Sequence, residues 1–406
     1  MLSCIELQVR LRVAFWGLLA CGATCLSLDA FPGRPVPSLG CRDGGQTGVA
    51  QAGTSRILID VFEPAFNRSI QREYELDLPE LAGSRRPSPL LFTFHGQMGS
   101  AKDEIQWNHA TGIDKLKETG DFIIVAPQGL DDFIDIDVSD DPLDAANNAV
   151  ADLGTGWNVG AGGDDSTCRP GDDVTLPDTA YSCYESCVAL NQCGYCNWST
   201  CHDDVAFVKS MLVQIATSYC IDLTRIYALG GSNGGMLLYY LAEKMPETFA
   251  ALVPVYALPL LGYLRLGSHA LQETALLEIH DRGDHTIPVA GGMASRAFMA
   301  WYYESLAKVE EAWAKMHGCQ SNATNLTNFS HVVEPGPDNF QCTERASCRS
   351  GRRVISCLYG KPGRHGDLPK GYALGRIVHW FFGQFRRTFV APWLPRDPAF
   401  EKTIYM

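Results

Sequence analysis

The sequence predicts an α/β chain: a mostly parallel sheet with helices on both faces and a disulfide-rich insert. Three observations point there. The runs "PLLFTFHG", "DFIIVAPQG", "RIYALGG" and "TALLEIHD" have the near-continuous hydrophobicity of strands buried on both faces. Helical stretches such as Asp103 to Glu118 and Asp203 to Tyr219 alternate with them, as parallel crossovers require. Six cysteines between Cys168 and Cys201 mark an excursion from that alternation. The 406 residues are 46% hydrophobic and 10% aromatic, enough for a sizeable core. A formal charge of -13 argues against a nucleic-acid partner and offers no basic face to anionic membranes.

Read from the start, residues 1–28 have the pattern of a signal peptide. Arg10 and Arg12 precede the short apolar stretch "VAFWGLLACGATCLSL", and cleavage is expected between Ala23 and Ala30. The alternative is an uncleaved signal anchor, which the length and flanks disfavour, so stable membrane insertion is not expected. A Pro/Gly-rich lead-in occupies 29–54. The main domain, 55–386, opens with alternation in "RILIDVF" and "REYELDL", two antiparallel strands at a sheet edge. The buried strands follow, "AALVPVYAL" and "RVISCLYG" among them, and "YALGRIVHWFFGQFRR" closes the domain as an amphipathic helix. Residues 387–406 are a C-terminal tail.

Two inserts break this order. The acidic one, Asp131 to Thr155, contains "DIDVSDD", which imitates the start of a calcium loop. It lacks the required glycine, and Ala146 stands where a bidentate carboxylate belongs. The second, 168–201, holds a CxxC pair, Cys193 and Cys196, near His202, a spacing that zinc sites also use. Removing the three leader cysteines from 15 leaves an even 12, and Asn67, Asn197, Asn322, Asn325 and Asn328 each head a glycosylation sequon. Both fit an oxidising, extracellular destination, where these cysteines form disulfides and no metal site is expected.

The chemistry lies in "GGSNGG", Gly230 to Gly235, between an apolar strand and an apolar helix. Four glycines at one junction suggest backbone that only glycine adopts. A phosphate-binding loop would need a lysine and then Ser or Thr, and "ML" follows instead. A nucleophile elbow, G-x-S-x-G, fits at every position and presents Ser232 above the sheet. It predicts an acid and then a histidine on later strand ends. Asp284, in "RGDHTIP", and its rival Asp281 follow the strand "TALLEIH". Of the downstream histidines, His365 occupies a glycine-flanked loop after the last strand. His317, His331 and His379 lie beside helices or sequons. Backbone amides of Asn233 and of Gln97 or Gly96, in "FTFHGQMGS", are the expected oxyanion donors.

With these pieces in place, the chain resembles the secreted polyhydroxybutyrate depolymerase and feruloyl esterase group of α/β-hydrolases, from about Arg56 to Phe385. The resemblance rests on "HGQMGS", "APQG", "GWNVG", "CHDDVAFVKSML", "LTRIYALGGSNGGML", "IHDRGDHTIP" and the His365 loop. It selects Asp284 over Asp281 by its spacing from His280 and from Ile287-Pro288, and it implies that Trp157 and His95 border the substrate. It also implies a serine esterase needing no cofactor, acting on polyhydroxyalkanoate oligomers or on feruloyl or acetyl esters of polysaccharide. The chain departs from the group at Arg364, where a glycine is usual, and in "HGDLP", where Asp367 and Leu368 stand and the usual tryptophan is missing. The alternatives are a secreted peptidase on the same fold and an inactive binding protein that kept it.

Overall fold

The computed structural model describes residues 34–42, 52–80, 86–132, 154–160, 184–191, 199–264, 273–293, 302–326, 340–360, 365–366, 368 and 374–398. A ten-stranded sheet organises them. In chain order its strands are β1 (Gly53–Glu63), β2 (Arg68–Leu78), β3 (Ser88–Phe94), β4 (Ile123–Pro127), β5 (Ile221–Gly231), β6 (Ala251–Val255), β7 (Ala275–Asp281), β8 (Ala323–Asn325), β9 (Gln341–Arg345) and β10 (Val354–Tyr359). Their spatial order is β1-β2-β4-β3-β5-β6-β7-β10-β9-β8. The six from β4 to β10 run parallel, and antiparallel pairs finish both edges.

The expected strands all appear. Every residue of β3, β4, β6 and β7 is buried, which is why their sequences read as unbroken apolar runs. β1 and β2 pair in the expected edge hairpin, turned by Asn67 in the left-handed region. β8 and β9 were not legible, because such short strands, "QCTER" among them, carry no hydrophobic period.

The helices are α1 (Ala101–Thr111), α2 (Lys115–Gly120), α3 (Glu185–Ala189), α4 (Asp204–Ser218), α5 (Asn233–Lys244), α6 (Leu306–His317) and α7 (Leu374–Phe382). The helix expected over 103–118 is two, divided at Gly112, whose φ of 75° ends the first. Ser100 caps α1 and Asp203 caps α4, each accepting a hydrogen bond from the third amide beyond it. Asp204 is buried and ion-paired with Arg72 of β2 at 2.7 Å, tying α4 to the sheet.

The lead-in and the tail both pack on the sheet. Cys41 is bonded to Cys220, Pro37 bridges Asp222, and the buried Val390, Ala391 and Leu394 join the core. Cys187–Cys201, Cys319–Cys348 and Cys342–Cys357 are also disulfides. Cys168, Cys183, Cys193 and Cys196 lie outside the described residues.

The chain leaves β3 toward β4 on one side and returns to β5 on the other. The order therefore reverses between β3 and β5, and open α/β sheets hold their ligands at the carboxyl ends of such a pair.

Candidate active site

Ser232 follows β5 at that crevice, with φ 53° and ψ −124°. Such backbone costs a non-glycine residue on the order of 1–3 kcal/mol, and the amide of Ser232 is held to the Val255 carbonyl at 3.0 Å. The strain falls on the serine. None of Gly230, Gly231, Gly234 and Gly235 has positive φ; what these four require is room. A Cβ on Gly230 would stand 2.6 Å from the Gly234 backbone, and one on Gly231 2.6 Å from the Tyr256 hydroxyl. One on Gly234 would stand 2.3 Å from the Phe94 carbonyl oxygen, and one on Gly235 2.4 Å from Ala257 Cβ. The glycines let α5 start hard against β3 and β6.

His365 and Asp284 meet this serine. His365 Nε2 lies 2.7 Å from Ser232 Oγ, and Nδ1 lies 2.7 Å from Asp284 Oδ2. Asp284 Oδ1 accepts from the amides of Thr286, at 2.8 Å, and Ile287, at 2.9 Å, so the turn after β7 aims the carboxylate. Burial alone would raise the Asp284 carboxyl. Hydrogen bonds from His280 and His365 and the Ile287 amide outweigh it and hold the group below the ordinary carboxylate range. Asp281 instead accepts from the Gly283 amide at 2.8 Å. His317 bonds the Thr274 carbonyl, His379 packs on Phe122, and His331 is outside the described residues.

The turn expected to supply an oxyanion donor lies beside the serine: a Cβ on Gly96 would be 3.3 Å from Ser232 Cβ. The Gly99 amide closes that turn on the Gly96 carbonyl at 3.1 Å, with Gln97 and Met98 at its centre and Met98 at φ 62°. The Gln97 side-chain amide donates to the Tyr184 hydroxyl at 2.9 Å, joining the turn to the cysteine-rich insert.

His95 and Trp157 call for a correction. Expected to border substrate, they are only 2% and 0% exposed and act behind the site. His95 Nδ1–H donates to the Gly96 carbonyl at 2.7 Å, while Nε2 accepts from the Gly129 amide at 2.9 Å, fixing the tautomer. Burial lowers this imidazole to about 4, so it stays neutral. Trp157 Nε1 donates to the His95 carbonyl at 2.8 Å, and its amide donates to Asn233 Oδ1 at 2.9 Å. The Asn233 side chain thus ties the elbow, through Trp157, to the Gly96–Gly99 turn.

Four residues at the site escaped the sequence reading. Tyr256, strained at φ 42°, packs its ring edge-on against His365 with centroids 5.2 Å apart. It provides an aromatic neighbour for the histidine. Glu278 and His280 lie wholly buried behind Asp284. Glu104, on the inward face of α1, is 6% exposed, and its Oε1 has no hydrogen-bond partner among the described residues. The legible signal was a charge inside an apolar strand or on the apolar face of a helix. Among the described residues there is no group of three or more His, Cys, Asp or Glu that could hold a metal ion, and no helix long and apolar enough to cross a membrane.

Comparison with known proteins adds context. Residues 197–278 match the Prolyl oligopeptidase family, a stretch that includes the elbow. Feruloyl esterase B of Piromyces equi is 26% identical over 175 residues, 42% of this chain and 30% of that protein, so the match spans less than a third of the relative's length. Among solved structures, an acetyl xylan esterase from Aspergillus awamori aligns with TM-score 0.45 and 12% identity over 81% of this chain and 99% of that one. A ferulic acid esterase from Anaeromyces mucronatus, in complex with ferulic acid, aligns with TM-score 0.35 and 12% identity over 61% and 79%. The chain has the α/β-hydrolase fold, and its sequence is similar to the feruloyl esterase group.

Proposed function

We propose that this protein is a secreted serine esterase that cleaves carboxylic esters through an acyl-enzyme. The observation that carries the reading is the Ser232–His365–Asp284 chain, with two 2.7 Å contacts, on a strained elbow. In the first half-reaction His365 Nε2 takes the Ser232 hydroxyl proton as Oγ attacks the ester carbonyl. The same nitrogen then returns the proton to the departing alcohol. Water repeats the sequence to release the acid and restore the serine. Asp284 holds Nδ1–H in place and stabilises the imidazolium that forms, and the Asn233 and Gln97 amides receive the oxyanion. No cofactor takes part.

Feruloyl or acetyl esters of polysaccharide are the substrates this reading favours, in line with the Piromyces relative, with polyhydroxyalkanoate oligomers next. Secretion is supported by the four described disulfides and by sequon residues Asn67, Asn322 and Asn325, all exposed.

A peptidase is the second reading, favoured by the Prolyl oligopeptidase match over the elbow. One experiment separates them. The purified protein should react with a fluorophosphonate probe at Ser232 and hydrolyse p-nitrophenyl acetate, methyl ferulate or acetylated xylan, but no peptide. Cleavage of a prolyl peptide without ester turnover would favour the peptidase. Absence of labelling would leave an inactive binding protein.

A further inference from the structure

The polar chain at Ser232 does not stop at Asp284. Behind it, Asp284 Oδ2 lies 3.3 Å from Nε2 of His280, and the same nitrogen lies 2.9 Å from the Ile287 carbonyl oxygen. On the other side of the ring, Nδ1 lies 2.9 Å from Glu278 Oε1. The Tyr239 hydroxyl of α5 donates to Glu278 Oε2 at 2.8 Å. Glu278 and His280 are both 0% exposed. They are two residues apart, so they share one face of β7.

The acceptors dictate the protons. Nε2 of His280 meets a carbonyl and a carboxylate, neither of which can donate, so it carries hydrogen. Nδ1 meets a second carboxyl group, and one proton lies between them. With that proton on Glu278 the ring is neutral and Asp284 keeps the one charge; with it on Nδ1 the ring is a cation in contact with a carboxylate on each side, and those two paired contacts offset the cost of burying it.

We propose that His280 is a positioning residue of the candidate triad, a buried imidazolium between Glu278 and Asp284 that aims Asp284 Oδ2 at His365 and neutralises part of its charge. This rests on the triad reading above. Burial alone would lower the imidazole, but hydrogen bonds from it to Asp284 and Glu278 and their negative charge raise it above its ordinary value. The other titratable groups acting on this cluster are Tyr239, Tyr256, Tyr303 and Tyr359, from α5, the end of β6, the segment Tyr302–Tyr303 and β10. Burial raises all four, and Asp281 acts on Tyr359. Burial also raises Glu278, to about 7, against its hydrogen bonds with His280 and Tyr239, so the proton between Glu278 and Nδ1 of His280 is the one in play near neutrality.

A cation on the far side of Asp284 opposes protonation of His365, so losing it should make His365 a stronger base. His280→Gln keeps an N–H for Asp284 but no charge, and His280→Asn is too short to reach Asp284. With p-nitrophenyl acetate, and rates normalised to fluorophosphonate-titrated sites, His280→Gln should move the acid limb of kcat/KM up by about one pH unit. His280→Asn should show the same shift and also lose kcat by about 10–100-fold at little change in KM. A purely structural role predicts a lower melting temperature in both, with unmoved acid limbs and unchanged kcat per site; that result overturns the proposal. Should neither variant fold, wild-type protein with 15N-labelled histidine decides. At about pH 8, where free imidazoles are neutral, one histidine should carry hydrogen on both nitrogens, and finding none overturns the proposal equally. Ser232→Ala is run alongside: activity surviving there refutes the triad reading itself, whatever the His280 variants do.

Discussion

Replacing Glu104 with glutamine should raise stability at neutral pH while leaving its value in acid little altered. The carboxyl is buried on α1, its Oε1 has no hydrogen-bond partner among the described residues, and burial pushes it from an ordinary 4.5 up to about 8. Its folded-state value exceeds the unfolded one, so the folded state holds the proton more tightly. The stability this group contributes is thus fully present below about pH 4.5 and is lost as pH rises toward about 8. At pH 7 the unfolded chain has gained about 2.5 units of ionisation free energy that the folded chain has not, on the order of 3 kcal/mol. For a protein of this size that corresponds to roughly 5 °C in melting temperature. Glutamine does not titrate, and whatever its buried amide costs is independent of pH. The assay is urea or thermal unfolding of both proteins at several pH values between about 4.5 and 8. The difference between them should widen in favour of Glu104→Gln as pH rises. Parallel stability curves would refute the reasoning and mean that solvent or an undescribed partner satisfies the carboxylate.

Asp284→Asn should cost up to about 10⁴ in kcat near neutral pH without unfolding the protein, whereas Asp281→Asn should lose far less; kcat and melting temperature measured together tell them apart. Gly234→Ala would place a Cβ 2.3 Å from the Phe94 carbonyl oxygen. It should destabilise the fold by about 3 kcal/mol or more, as measured by denaturant unfolding. Trp157→Phe removes the 2.8 Å bond to the His95 carbonyl while keeping most of the ring's bulk. Its kcat with p-nitrophenyl acetate should fall about tenfold at near-constant KM, because the turn beside Ser232 loosens.

How much was readable depended on how local the signal is. The parallel strands were legible because burial on both faces forces unbroken apolar sequence, as in "PLLFTF". The members of the candidate triad could be proposed because an elbow constrains where its partners stand and the resemblance singles out Asp284, whose Oδ1 accepts from the Ile287 amide. Exposure was harder to read. A loop motif places His95 and Trp157 near the serine, but only packing decides which side of the backbone they occupy, and both faced inward. The role of the glycines was misread for a related reason: close approach of β3 to α5 is a long-range fact that "GGSNGG" cannot express. Glu278 and His280 stood in plain view as polar residues in "ALLEIHD", yet their partners Tyr239 and Asp284 come from elsewhere in the chain.

The anchoring of the lead-in and the tail has a practical side. The Leu39 amide bonds the Pro395 carbonyl at 3.0 Å, the Asp397 amide bonds the Pro37 carbonyl at 3.1 Å, and Arg42 pairs with Asp397. Pro37 and Cys41 hold Asp222 and Cys220, where β5 begins, and Ser232 follows its last residue. An eleven-residue strand spans roughly 30 Å, so the segments 36–42 and 387–397 gather at the far end of the strand from the cleft. A surface tether or carrier module attached through that corner would hold the molecule with its crevice turned outward.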